Sequence, residues 1–245
     1  MNPQIKPNNS SSASKKEQVS DMFDDISSSY DKVNRFISLG LDGLWKKRLV
    51  RLVVERQPSN LLDLATGTAD LPLRFAESGL RNITGLDLSP LMLEEGQKRV
   101  DIHPQGEHIK LIQGDSENLP FHDNSFDAIT VSYGIRNYEN LLKGLQETCR
   151  VLKPTGQLLI LETSVPTVFP FKQGYALFTK RVMPWIGGLM SGDKEAYRYL
   201  SESAANFPCG EALATILKSS GFTNVTIKPQ FFGAASIYIC DKTHV

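Results

Sequence analysis

Cysteine is sparse in this 245-residue chain: Cys149, Cys209 and Cys240 lie far apart, are odd in number and form no CxxC pair. That argues against a disulfide scaffold and suits a reducing compartment. The four histidines, His103, His108, His122 and His244, share no metal-ligand spacing and read as loop residues, so no metal is expected. Net charge is also missing, with 27 Lys+Arg against 27 Asp+Glu. The molecule as a whole is therefore not drawn to acidic lipid, and no nucleic-acid partner is expected, although a local basic patch is compatible with this balance. No run of 18 apolar residues occurs, so no helix is expected to span a membrane. Asn2 to Glu17 is polar, contains Ser10-Ser11-Ser12 and lacks an apolar h-region. It reads as a disordered tail, residues 1–16, and not as a signal peptide, which places the protein in the cytoplasm.

What is present suffices for one sizeable core: 40% apolar and 22% charged residues, as in ordinary soluble domains. The expectation is a single domain over residues 17–245. Val19, Met22, Phe23, Ile26 and Tyr30 share a helical face, and Leu41, Leu44, Trp45, Leu49, Leu52 and Val53 follow with Asp42 as N-cap and Pro58 as stop. These make a helical N-terminal layer, residues 17–58.

From residue 59 to 165 strands and helices alternate. Strands are expected at 61–64, 83–87, 109–112, 126–132 and 158–161, the last led in by a Pro154-Thr155-Gly156 turn. Helices are expected from Asp70 to a stop at Gly79, from Ser89 to near Val100, and through Leu141, Leu145, Cys149 and Leu152. Continuous apolar strands separated by amphipathic helices mean parallel strands covered on both faces. Residues 166–207 break the pattern and read as an inserted lid rich in Phe, Met, Trp and Gly. A helix ended by Gly221 and two hairpin strands, 222–227 and 235–240, complete residues 208–245. The fold class is α/β: a doubly wound, mostly parallel, seven-stranded Rossmann-like sheet with its ligand at the carboxyl ends of the strands.

Two features point to the ligand. Leu62-Asp63-Leu64-Ala65-Thr66-Gly67-Thr68-Ala69-Asp70 is a strand–loop–helix whose small residues admit a ligand against the backbone. Asp87 ends the next strand, about 20 positions on, where a carboxylate accepts from both hydroxyls of a ribose. A helix cap is the competing role for Asp87. The loop has the single glycine Gly67, not the three that a pyrophosphate needs, and Asp70 would repel phosphate. A ribose and adenine without phosphate fit better, and S-adenosylmethionine is such a cofactor. Asp115 and Ser116, after the third strand, stand where side chains reach adenine, and Ser132 to Asn137 ends the fourth strand beside the expected methyl donor, with Arg136 a candidate functional cation.

Four stretches carry a family resemblance: Phe23 through Tyr30-Asp31-Lys32-Val33-Asn34, continued by Ser38 to Leu41 and Leu44-Trp45-Lys46; Leu62 to Asp70; Asn118 to Phe121 and Asp123 to Asp127, with Ser132 through Asn137; and Tyr197 to Ser203. Over residues 18–242 the chain resembles the menaquinone and ubiquinone biosynthesis C-methyltransferases. The resemblance implies a class I methyltransferase with S-adenosylmethionine bound by Asp63, Gly67, Thr68, Asp87, Asp115, Ser116 and Ser132. It implies methylation of a ring carbon of a prenylated quinol, a naphthoquinol foremost, with a benzoquinol as the alternative. Arg136 would stabilise the phenolate of the acceptor, while Tyr30 and Asn137 orient its hydroxyl.

The chain departs from the family at Ala69 and Thr155, where glycine is usual, and at Asp115 and Ser116. Phe169, Phe171, Tyr175, Phe178, Met183, Trp185 and Met190, with Gly187 and Gly188 as hinges, would line a groove for the isoprenoid tail. That implies peripheral contact with the inner face of the membrane, and the reading is compatible with a homodimer. Rival readings are a sterol or phospholipid-headgroup methyltransferase, a nicotinamide-dependent oxidoreductase and a non-catalytic scaffold.

Overall fold

A computed structural model describes residues 5–38, 40–166, 169–177 and 194–242. Helices α1 (Lys15–Ile26), α2 (Tyr30–Ile37) and α3 (Leu41–Val54) precede β1 (Leu61–Leu64), α4 (Asp70–Glu77), β2 (Ile83–Asp87), α5 (Pro90–Asp101), β3 (Ile109–Gln113) and β4 (Phe126–Ser132). Then come α6 (Leu141–Val151), β5 (Leu152–Thr163), α7 (Phe171–Leu177), α8 (Lys194–Asn206), α9 (Glu211–Ser219), β6 (Phe222–Gln230) and β7 (Ala235–Lys242).

The seven strands form one sheet in the order β3-β2-β1-β4-β5-β7-β6. β1 to β5 pair in parallel, and β7 runs antiparallel to both β5 and β6. Strand order reverses between β1 and β4, the crevice where doubly wound sheets take ligands.

Alternation along the strands divides the core in two. Leu61, Leu159 and Leu161 face α3 and α4, with Ile83, Phe75 and Val53. Leu62, Leu64, Leu158 and Ile160 face α6 and α9, with Leu145, Leu213 and Leu217. Each such fully buried leucine is worth about 1.5–3 kcal/mol. A third cluster, Val19, Met22 and Ile26 of α1, Val33 of α2, Met92 of α5 and Tyr197, Tyr199 and Leu200 of α8, gathers the N-terminal helices and α8 into a small core of their own.

Three local expectations change. Asp42 is not the N-cap of α3: Gly40, at φ +75°, takes that position and turns the chain, while Asp42 sits in the first turn, accepting from Ser38 Oγ at 2.6 Å. The Pro154-Thr155-Gly156 segment is not a turn before a strand but part of β5. Leu152 pairs with Phe126 and Gln157 with Ala128, so the segment bulges out of the ladder, where proline's missing N–H costs no bond. α1 begins at Lys15, inside the stretch read as tail, because Ser14 and Glu17 form a reciprocal capping box. Of the groove residues expected in 166–207, Phe178, Met183, Gly187, Gly188, Trp185 and Met190, and the side chain of Tyr175, lie outside the described residues.

Candidate active site

The carboxyl ends of β1, β2, β4 and β5 open into one cavity of about 690 Å³, roofed by α1, α2, the start of α3 and α8. Its lining includes all ten residues singled out from the sequence: Tyr30, Asp63, Gly67, Thr68, Asp87, Asp115, Ser116, Ser132, Arg136 and Asn137. They divide between two ends.

At the first end the β1 loop is held by carboxylates. Asp63, buried at the centre of β1, accepts from Thr66 Oγ1 at 2.7 Å and from Thr130 Oγ1 at 2.6 Å. Burial pushes its carboxyl up to about 7, against the two hydroxyl donors, which favour the ionised form. Asp87 accepts from Gly67 N at 2.7 Å and from Ser89 N at 3.0 Å, so it bridges the β1 and β2 loops. The helix cap is Ser89 instead, whose Oγ accepts from Met92 N at 3.1 Å ahead of Pro90. Burial raises the Asp87 carboxyl too, and the backbone donors oppose that rise.

Ser132 Oγ is buried and has no hydrogen-bond partner among the described residues, an orphan that a ligand in the cavity can satisfy. A Cβ on Gly67, at φ +55°, would meet nothing within 4 Å, so the backbone there is open to a ligand. Gly134, by contrast, is closed: an added Cβ would lie 2.5 Å from Ala65 Cβ. The basic groups around this end are already engaged: Lys46 with Asp70 at 2.9 Å, Arg99 with Asp31 at 2.9 Å and Lys16 with Asp115 at 2.6 Å. Burial pushes Asp70 up, but Lys46 and Arg74 outweigh it and hold the carboxyl at about 2. An end lined with acids, and without a free cation among the described residues, fits a positively charged nucleoside and opposes a pyrophosphate.

The roof is tied to these loops by polar bonds that the sequence did not announce. Thr68 Oγ1 donates to Asp31 at 2.7 Å and accepts from Arg99 at 3.0 Å, so its hydroxyl is engaged with the roof. Ser89 Oγ donates to Asp24 at 2.5 Å. Lys15 Nζ, buried, donates to the carbonyls of Arg136 and Tyr138 at 3.0 and 2.8 Å, and burial lowers its pKa to about 8.

At the other end Arg136 is buried with Glu162, the last inward residue of β5. Nη1 donates to Glu162 Oε1 at 2.8 Å and to the Tyr133 carbonyl at 2.6 Å, while Nε and Glu162 Oε2 have no hydrogen-bond partner among the described residues. Burial disfavours the guanidinium, but the Glu162 carboxylate more than offsets it, so Arg136 stays charged. Arg136 and Glu162 thus make a buried ion pair, not a surface one. Tyr30 and Tyr199 flank the guanidinium; burial raises both phenols, Tyr199 to about 12, and Arg136 opposes the rise. Tyr199 Oη donates to Asn137 Oδ1 at 3.2 Å. Glu162, Tyr199 and Lys15 were missed as site residues. The one signal for Glu162 was a charge closing the apolar run Leu158-Leu159-Ile160-Leu161. The cavity lining also includes the apolar side chains of Phe23, Leu41, Trp45, Phe171 and Leu200.

A switch-point crevice in a sheet of this order, lined by acids and closed by helices from both sides, defines the chain's class: the fold is that of the class I methyltransferases. Solved structures share it. A SAM-dependent methyltransferase described as a possible histamine N-methyltransferase, from Thermotoga maritima, has a TM-score of 0.64 at 18% identity over 91% of this chain and 99% of that chain. An O-methyltransferase family protein from Burkholderia thailandensis has a TM-score of 0.63 at 16% identity, over 86% and 59%.

Sequence comparison is more specific. The profile of the ubiE/COQ5 methyltransferase family matches residues 11–242, and the chain belongs to that family. Similar proteins are the demethylmenaquinone methyltransferases of Thermotoga maritima, 45% identical over 90% of this chain and 94% of the relative, and of Bacteroides fragilis, 39% identical over 97% of each.

Proposed function

We propose that the protein uses S-adenosylmethionine to methylate a ring carbon of a prenylated naphthoquinol, taking demethylmenaquinol to menaquinol. The names of the full-length relatives support the substrate. The observation that carries the reading is a buried, charge-balanced guanidinium, Arg136 with Glu162, in the wall of a cavity that Asp63, Asp87 and apolar side chains also line.

S-adenosylmethionine supplies an electrophilic methyl group on a sulfonium. Asp87 would accept from the ribose hydroxyls, Gly67 would let the backbone close on the ligand, and Asp63 would place negative charge near its cationic part. Thr68 fixes the loop through Asp31. Asp115 and Ser116 would border the adenine, and Ser132 Oγ would gain a partner. The acceptor carbon becomes nucleophilic when a neighbouring ring hydroxyl loses its proton to water; the methyl would leave neutral S-adenosylhomocysteine behind, and the ring carbon's own hydrogen would depart as a proton to restore aromaticity. A phenol has a pKa of about 10, so ionising it at pH 7 costs roughly 4 kcal/mol in water. The fixed charge of buried Arg136 recovers much of that cost. Glu162 and the Tyr133 carbonyl hold the guanidinium rigid, so little reorganisation is needed as the phenolate forms. Tyr30 and the Asn137 amide, itself set by Tyr199, orient the hydroxyl. The apolar walls take the isoprenoid tail, and alignment of methyl and carbon supplies the rest of the rate.

Among the described residues no helix is long and apolar enough to cross a membrane. Peripheral contact with the membrane is the proposed route to a membrane-dissolved substrate. The test is mass spectrometry of quinones extracted from cells lacking the protein. A menaquinone precursor one methylene unit lighter should accumulate; an unchanged quinone pool rejects the reading.

A further inference from the structure

The cavity opens beside a cluster of exposed aromatic rings. Phe169 is 76% exposed and Phe232 58% exposed, and Phe171 stacks on Phe232 with ring centroids 3.8 Å apart. Phe231 meets Phe232 edge-on at 5.4 Å. Phe231 and Phe232 form the tip of the β6–β7 hairpin with φ of +37° and +54°, a backbone region that bulky side chains rarely adopt. The strain gains nothing in core packing, because both rings are more than half exposed and neither joins a buried cluster. Phe171 and Phe231 also line the cavity, so the patch forms its rim.

The neighbouring surface is basic. Leu44, Lys47, Arg48 and Arg51 lie on one exposed face of α3, at the i, i+3, i+4, i+7 spacing. Arg48 Nη1 donates to Gln230 Oε1 at 3.1 Å, the residue before the tip, so the basic face abuts the rings. Exposed Lys172 follows Phe171. Lys47, Arg51 and Lys172 have no ion-pair partner among the described residues. The only acid within α3, Asp42, is engaged by Ser38 and Lys46. In a chain with zero net charge this is a local concentration of cations beside a local concentration of exposed rings.

We propose that the Phe231-Phe232 hairpin tip, Phe169, Phe171 and the exposed face of α3 form one docking surface for an anionic lipid bilayer, with the cavity mouth facing the acyl region. The rings enter the interfacial zone and the lysines and arginines meet lipid phosphates, the pairing that peripheral membrane segments use. The proposal rests on the reading above for one point only, that the acceptor is dissolved in a membrane.

The test is cosedimentation of the purified protein with phosphatidylcholine vesicles, with and without phosphatidylglycerol. The wild type should bind the anionic vesicles and be weakened by salt. Two variants avoid residues that line the cavity: Leu44→Ser with Phe232→Ser, and Lys47→Glu with Arg51→Glu. Each should lose binding by tenfold or more, and the charge variant should lose the preference for phosphatidylglycerol. Both should keep wild-type turnover on a short-tailed, water-soluble naphthoquinol and lose it on a long-tailed quinol in vesicles. Wild type that ignores vesicles, or variants that bind as wild type does, overturns the surface. A wild-type dimer in sedimentation velocity that the variants split, with no vesicle binding, assigns the face to a second copy and also overturns it. Absence of wild-type turnover on the soluble quinol rejects the proposed reaction instead, whatever the vesicles show.

Discussion

The two ends of the cavity are built on different plans. The acidic end is local: Asp63, Gly67, Asp87 and Ser132 stand at the tips of neighbouring strands, positioned by backbone amides and hydroxyls a few residues away or one strand over. The guanidinium end is assembled from distant parts of the chain: Tyr30 in α2, Arg136 after β4, Glu162 in β5 and Tyr199 in α8. A site made by adjacent loops suits a ligand that many reactions share. One made by long-range contacts can be changed without disturbing the sheet, and that is where the choice of acceptor belongs.

The sharpest way to break this division is Arg136→Ala. Turnover should fall about 10²–10³-fold, the scale of removing a preorganised transition-state contact, while calorimetric affinity for S-adenosylmethionine stays within about threefold, an allowance below 1 kcal/mol. Equal losses in both would mean the ends are not separate. Because the single change strands Glu162, stability should drop by about 3–5 kcal/mol. Arg136→Met with Glu162→Gln should recover much of that stability in denaturant titrations and stay inactive, which separates charge from folding.

Asp87→Asn probes the opposite end. Loss of a charged acceptor is worth about 1.5–3 kcal/mol, so cofactor affinity should weaken roughly 10- to 100-fold, with kcat at saturating cofactor nearly kept. A collapse in kcat would place Asp87 in the chemistry.

Asp63 gives a smaller, pH-dependent effect. Its carboxyl titrates at about 7 in the folded protein, raised from the ordinary 3.8. A cationic ligand prefers the ionised form, so affinity should climb as pH rises through about 7 and level off above it, with proton uptake by buffer seen in calorimetry. Stability of the ligand-free protein moves oppositely: the contribution is fully present below about 3.8 and is lost as pH rises through about 7. Asp63→Asn should flatten both profiles.

The smallest effect belongs to the roof. Asp31 is an exposed partner of Arg99, a pair of the kind worth no more than about 1 kcal/mol. Asp31→Asn should speed cofactor dissociation in stopped flow by less than about fivefold, and a larger change would give the roof a greater share in binding.

Legibility in the sequence follows the same division. β4 is found to the residue, and the strand–loop–helix at Asp63 to Asp70 and the acid at Asp87 stand out because their partners are near in sequence or one strand away. Alternation and continuous apolar runs carry that information directly. The roof bonds from Lys15, Lys16, Asp24 and Asp31 were not legible, since a charge on a polar helix face looks the same whether it meets water or a loop 99 or 121 residues away. Glu162 hid for the same reason: nothing within a few residues of it shows that its partner is Arg136. The bulge that keeps Pro154 inside β5 depends on the register of β4, which local sequence does not encode.

The contact between Gly134 and Ala65 has a consequence for the distance between the two chemistries. In the proposed reaction one loop would hold the donor and the other leads into Arg136; they meet at a glycine, with 2.5 Å as the clearance an added carbon would have. That gap acts as a gauge block. Restoring the methyl by Gly134→Ala would push the jaws apart by about an ångström, judged against ordinary carbon–carbon contact at 3.5–4.0 Å, and lengthen the reach across which a one-carbon group must travel.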